Sequence, residues 1–204
     1  MFLKICGLTT EADAVQAAAA GATALGVVFA PSSPRCVSAD RARDIVEAVP
    51  ASVPVVGVFV NAPLEEIVAV VAHTGIRIVQ LHGDEPQQYA AALKMPLLRA
   101  AGLDGLDVDA WPTATLVLDA VSDAARGGTG RRVDWHKAAA VAGRRKTVLA
   151  GGLTPGNVAE AIATVRPFGV DVSSGVEMAP GRKDPEKVWR FLEAAKKAFV
   201  EGGL

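Results

Sequence analysis

Short aliphatic runs recur along the chain, and each is followed by a stretch whose apolar residues take a longer period. The runs are Phe2–Ile5, Thr23–Phe29, Pro54–Val60, Ile76–Leu81, Leu97–Ala101, Thr115–Leu118, Lys146–Ala150 and Gly169–Val172. Runs of this length, rich in Val, Ile and Leu, read as strands buried on both faces. Their starts are spaced by roughly 24 residues on average, which leaves room for a strand, a helix and two connections.

Helix signals fill most of the gaps. The first gap, TTEADAVQAAAA, offers a Thr cap and an acidic first turn; the third opens NAPLEE, the fourth DEPQQ, the seventh TPGN and the last DPEK. The latter four set a capping side chain close to a proline, which predicts capped helix starts. In the last, Val188, Phe191, Leu192, Ala195 and Phe199 fall at helical spacing and predict one face packed on the sheet. Between the fifth and sixth runs, GLDGLDVDAWP leaves little room for a helix, so a loop or single turn is expected there. Eight alternating units without a linker predict an α/β protein with a parallel sheet. The count of eight favours a closed barrel over an open doubly wound sheet. The expectation is a single-domain (β/α)8 TIM barrel over residues 1–204, with a missing or shortened fifth helix.

Composition adjusts this picture only slightly. Of 204 residues, 50% are hydrophobic and only 5% aromatic, so the core must be mainly aliphatic. Twenty-one basic residues against 22 acidic give a net charge of −1, which offers nothing to nucleic acid or to a membrane surface. A small anion can still be held by local backbone dipoles. Two cysteines, Cys6 and Cys36, are too few for a disulfide framework, and no apolar run reaches the ~18 residues of a membrane span. The expectation is a cytoplasmic protein with reduced thiols, as a monomer or homodimer.

Barrel enzymes carry their chemistry at the C-terminal ends of the strands. The first strand ends KICG, and alternation puts Lys4 and Cys6 on the inner face. The sixth ends TLVLDA, which sets Asp119 at the same rim ahead of the long glycine-rich stretch ARGGTGRR. That aspartate has no nearby helix to cap, because the next helix signal is at Asp134. After the seventh and eighth strands come LAGGLTPGN and DVSSGVE. Gly151, Gly152, Ser173, Ser174 and Gly175 are therefore candidates for a phosphate site built from N–H groups and hydroxyls, with room for an extra turn. Arg35 in APSSPRCV offers a planar fork to a carboxylate. In VQLHG, Gln80 and His82 share a face, and His82 is a candidate for substrate contact. Cys36 reads as a bystander.

KICG, GVVFAPSSPRCV, VGVFVN, VQLHGDE, VLDA with GGTGRRVDW, LAGGLTPGNV and DVSSGVEMAPGRKD, in this order, resemble the phosphoribosylanthranilate isomerase family. The resemblance implies an Amadori rearrangement in tryptophan biosynthesis, acting on a small phosphoribosyl substrate without metal or organic cofactor. It implies Cys6 as general base, Asp119 as general acid, Arg35 on the anthranilate carboxylate, and phosphate held at Gly151, Gly152, Ser174 and Gly175. Gly128 of the GGTG stretch is expected near the substrate. Two rivals are the histidine-pathway isomerase, which has an aspartate in place of the cysteine, and a non-catalytic phosphosugar-binding barrel. The reaction asks for a Cys6 thiolate and a protonated Asp119, although free groups have pKa values of about 8.5 and 3.9. Lys4 is expected to favour the thiolate and, as strands one and eight close the barrel, to pair with Asp171.

Overall fold

The computed structural model describes residues 1–119 and 133–204. Eight parallel strands close into a barrel in sequence order: β1 (Phe2–Ile5), β2 (Ala24–Val28), β3 (Val55–Phe59), β4 (Ile78–Leu81), β5 (Leu97–Ala101), β6 (Thr115–Leu118), β7 (Thr147–Leu149) and β8 (Gly169–Val172). The outer layer is formed by α1 (Glu11–Ala19), α2 (Ala39–Ala48), α3 (Leu64–Thr74), α4 (Gln88–Leu93), α5 (Trp135–Ala142), α6 (Val158–Val165) and α7 (Pro185–Glu201). After β8 come a single 3-10 turn, Ser174–Val176, and a small hairpin of β9 (Glu177–Ala179) and β10 (Arg182–Lys183). The turn occupies the place where an extra one was expected. No helix among the described residues is long and apolar enough to cross a membrane.

Strand parity sorts the core into two regions. Leu3 and Ile5 of β1, Leu25 and Val27 of β2, Leu116 and Leu118 of β6 and Val170 and Val172 of β8 join the helices in one large cluster. The alternate residues point inward. Ala24, Val56, Leu98, Val117 and Val148, with Phe2 and Ile78 against them, fill the interior with aliphatic side chains. Further along the same inner faces the interior turns polar, through Lys4, Gln80 and Asp171 to Cys6, His82 and Asp119, all less than a tenth exposed. The apolar plug holds the barrel shut and leaves its C-terminal end for chemistry.

Helix starts follow the sequence signals in part. Thr10 caps α1 by accepting from the Asp13 amide, and Asp184 caps α7 with Pro185 in the first turn. Asp134 caps α5, close to where a helix was expected to resume. At NAPLEE, DEPQQ and TPGN the capping expectation fails: α3, α4 and α6 have no side-chain cap. Their polar side chains brace the rim loops instead. Asn157 accepts from the Thr154 amide at 2.8 Å and donates to the Gly152 carbonyl at 2.9 Å. Glu85 is buried, accepting from the Asn61 and Gly83 amides and pairing with Arg99 at 2.8 Å.

No helix joins β5 to β6, as the broken GLDGLDVDAWP segment implies. The loop there is tied down from outside by Arg145. Its guanidinium donates to the carbonyls of Val108 and Ala110 at 2.6 Å each, Trp111 at 2.8 Å and Ala114 at 2.7 Å. A helix satisfies its own carbonyls; here one planar fork does it for four residues of irregular chain. Trp111 is buried in the neighbouring apolar cluster, with the Arg99 guanidinium 5.0 Å from its ring centre. Replacing Arg145 by Ala is expected to lower the unfolding free energy by about 3 kcal/mol, since four part-buried carbonyls lose a charged donor together. Lys at 145, with a point charge in place of a fork, should recover only part of that in urea titrations. An unchanged midpoint for Arg145→Ala would show that the loop is held by packing alone.

Candidate active site

The inner rim is organised around a buried cation. Lys4 is fully buried, and its Nζ donates to Asp171 Oδ2 at 2.7 Å and to Gln80 Oε1 at 2.9 Å. Lys4 and Asp171 are register partners across the β1–β8 seam, so barrel closure itself brings them together as expected. Burial opposes the ammonium, but the Asp171 carboxylate and the nearby Cys6 outweigh it and raise the Lys4 pKa above its usual value. Lys4 therefore stays charged inside the barrel. Gln80 passes the contact on, its amide nitrogen lying 3.1 Å from His82 Nδ1. His82 Nε2 in turn lies 3.5 Å from Asp119 Oδ2. A polar chain thus crosses the barrel from β8 through β1 and β4 to the end of β6.

Cys6 stands directly after β1, its amide bonded to the Val172 carbonyl at 2.8 Å. Gly26 of β2 provides the space beside it: a Cβ there would lie 2.7 Å from Cys6 Sγ and 2.9 Å from Lys4 Cε. Both side chains therefore rest on bare backbone. Burial pushes the Cys6 thiol up, Lys4 pulls it down, Asp171 pushes it up again, and the balance is a raised pKa. Lys4 favours the thiolate as anticipated, yet its charge is shared with Asp171 and does not offset burial. The resting group is a thiol. Cys36 is exposed on the connection after β2, joined to Val28 by a β-bridge.

Arg35 approaches from the β2 loop. Its Nε and Nη2 form a two-pronged contact with Glu177 of β9, at 2.8 and 2.7 Å. Lys183 Nζ joins the same carboxylate at 2.7 Å and reaches the Ser173 carbonyl at 3.3 Å. Burial works against the Glu177 carboxylate, but Arg35 and Lys183 together hold its pKa below the ordinary value. The triad clamps the β2 loop onto the β8 loop and presents the arginine at the rim. Neither Glu177 nor Lys183 was singled out in the sequence, where they look like ordinary surface charges; only the contact between loops more than 140 residues apart reveals them. Gly7 is needed beneath, because it takes φ 71° and a side chain there would strike Arg35 and Ser173.

At the ends of β7 and β8 the two loops interlock. Gly151 and Gly152 take φ 75° and 65°, a left-handed pair that glycine adopts without steric cost. Gly175 sits so close to the Leu153 carbonyl that no side chain fits. Ser173, Ser174 and Gly175 open the 3-10 turn, whose first amides have no acceptor within it. The fold brings together Cys6, Arg35, His82, Asp119, Gly151, Gly152, Ser173, Ser174 and Gly175 at one end of the barrel. Gly128 lies outside the described residues. Among the described residues, no group of three or more His, Cys, Asp or Glu side chains is placed to hold a metal ion.

Residues 3–194 match the family model of N-(5'-phosphoribosyl)anthranilate (PRA) isomerase. The chain belongs to this family. It is 48% identical over 201 residues to the N-(5'-phosphoribosyl)anthranilate isomerase of Geotalea daltonii, covering 97% of each chain. With that of Citrifermentans bemidjiense it is 47% identical over 199 residues, 96% of this chain and 97% of the relative. The phosphoribosyl anthranilate isomerase structure from Thermus thermophilus superposes with a TM-score of 0.88 at 37% identity, covering 97% of this chain and 99% of that one. Another solved member, with a TM-score of 0.84, 37% identity and the same coverage, is a complex with reduced 1-(o-carboxyphenylamino)-1-deoxyribulose 5-phosphate.

The buried Lys4–Asp171 pair makes a stability prediction for this family member. Lys4→Met leaves a carboxylate and an amide oxygen without a donor, and should cost about 3–5 kcal/mol. Replacing both partners, as Lys4→Met with Asp171→Leu, should recover much of that loss. A double variant no more stable than the single one in chemical denaturation would contradict this account.

Proposed function

We infer that the chain catalyses the Amadori rearrangement of N-(5-phosphoribosyl)anthranilate to 1-(2-carboxyphenylamino)-1-deoxyribulose 5-phosphate in tryptophan biosynthesis, with Cys6 and Asp119 as its proton-transfer pair. Family membership supplies the reaction. The observation that carries the assignment of roles is the position of Cys6 and Asp119. Both close inward-facing strand positions, and both are 9% exposed or less.

The substrate is an anion at both ends. The amides and hydroxyls of Gly151, Gly152, Ser173, Ser174 and Gly175 suit its phosphate, since a compact array of N–H donors binds a dianionic phosphate ester without net protein charge. Arg35 suits the anthranilate carboxylate. Its Nε and Nη2 are occupied by Glu177, and Nη1 carries no hydrogen bond among the described residues, so that edge is the one offered to ligand. Fixing both ends spares the entropy of orienting the ribose between acid and base.

In the reaction, Asp119 delivers a proton to the ribose ring oxygen and the ring opens to a protonated Schiff base. Cys6 then takes the proton from ribose carbon 2, giving an enolamine that tautomerises to the amino ketone. The productive pair is thiolate and carboxylic acid, an alternative to thiol and carboxylate. These two forms carry the same number of protons. Their ratio is therefore independent of pH, and only their combined population falls when the raised Cys6 thiol loses its proton to solvent. The histidine-pathway isomerase and the silent phosphosugar binder are both less well supported: the first lacks the cysteine, and the second needs no buried acid–base pair.

Adding purified protein to phosphoribosylanthranilate should abolish its anthranilate-type fluorescence; a stable signal would overturn the assignment. Cys6→Ala and Asp119→Ala should each lower kcat on the order of 10³-fold or more, while Arg35→Ala should mainly raise KM, by about tenfold. The pH dependence of kcat/KM should be flat across neutrality and fall in the alkaline range, where the raised Cys6 thiol ionises. A profile that climbs tenfold per pH unit through neutrality would rule out the proton-sharing pair.

A further inference from the structure

An ammonium has donors only, so any group facing Lys4 must accept. On its inner side that group is Gln80, whose Oε1 lies 2.9 Å from Lys4 Nζ. The amide has two ends, and with its oxygen committed it turns its NH2 to the other side. There His82 Nδ1 stands at 3.1 Å. An NH2 group only donates, so Nδ1 must present its lone pair, and the proton of the neutral ring sits on Nε2. His82 Nε2 is buried, has no hydrogen-bond partner among the described residues and lies 3.5 Å from Asp119 Oδ2. Asp171 anchors the far end and has a strand register that holds Lys4 in place.

We propose that Gln80 is a positioning residue: gripped by Lys4, it locks His82 in the Nε2–H tautomer, so that a fixed donor faces the Asp119 carboxylate and the ribose oxygen it serves. The donor stabilises the negative charge left on Asp119 when its proton moves to the ring oxygen. With the opposite tautomer, a lone pair would face that charge and oppose the transfer. The argument rests on the assignment of Asp119 as the acid. The tautomer itself follows from the donor and acceptor sequence alone.

A purely structural Gln80 would only satisfy Lys4, and two measurements separate the readings. The first is the 15N spectrum of His82 in the unaltered protein, which distinguishes a protonated ring nitrogen from one bearing a lone pair. A protonated Nε2 with a lone pair on Nδ1 is expected; a protonated Nδ1 would overturn the proposal and needs no variant to be seen. The second is a double-mutant cycle. Gln80→Met should lower kcat about tenfold with KM changed less than about twofold, and the same change in a His82→Ala background should cost almost nothing further. Equal losses in both backgrounds would mean that Gln80 does not act through His82. If the unaltered protein leaves phosphoribosylanthranilate unconsumed, the isomerase assignment fails, while the ring spectrum still decides the tautomer.

Discussion

A positive charge buried within an aliphatic barrel has to be answered on every side. Lys4 is that charge, and the way it is answered dictates most of the inner rim. Removing an ammonium from water costs several kcal/mol even after relaxation, so its three donors need acceptors of their own. Asp171 supplies the counter-charge across the seam where the barrel closes, and Gln80 supplies a neutral oxygen from the opposite wall. The two together fix the height and rotation of β1, β4 and β8 relative to one another. Cys6 inherits its position from the same strand, two residues on and on the same face.

That arrangement has an electrostatic side. An unpaired Lys4 would pull the Cys6 thiol down without the opposing push of Asp171, and a larger thiolate fraction is more open to oxidation and to stray electrophiles. Shared with Asp171, it leaves the thiol protonated at rest and still lowers the cost of forming the thiolate when the carboxylate opposite takes the proton. The thiolate is therefore the minor form of Cys6. Arg35 is treated in the same way: Glu177 and Lys183 hold its fork in one plane, so that little side-chain freedom is lost when a carboxylate meets the remaining edge.

Much of this was legible in the chain of letters. Alternation along KICG placed Lys4 and Cys6 inside, VQLHG set Gln80 and His82 on one face and TLVLDA put Asp119 at the rim, because parity is a local property that tertiary packing did not alter. The pairing of Lys4 with Asp171 followed from closure of the barrel. The failed caps at α3, α4 and α6 share one cause: Asn61, Glu85 and Asn157 are drawn into loop-bracing contacts, a demand that only the assembled loops create. Glu177 and Lys183 were hidden for a similar reason. Their burial depends on loops far apart in sequence folding over each other. Arg145 replaces a helix with a single side chain from a different unit, and no local pattern announces such a substitution.

The register between β1 and β8 ties the site to the order in which the chain is made. Lys4 is synthesised before Asp171, which follows only 167 residues later. Until β8 is delivered, β1 has an open edge and Lys4 remains hydrated. The last strand both seals the sheet and neutralises the buried cation, so the site cannot assemble on an unfinished barrel. Catalytic competence and topological completion arrive in one step, and a nascent chain stalled before its eighth strand carries a thiol and an ammonium but no enzyme.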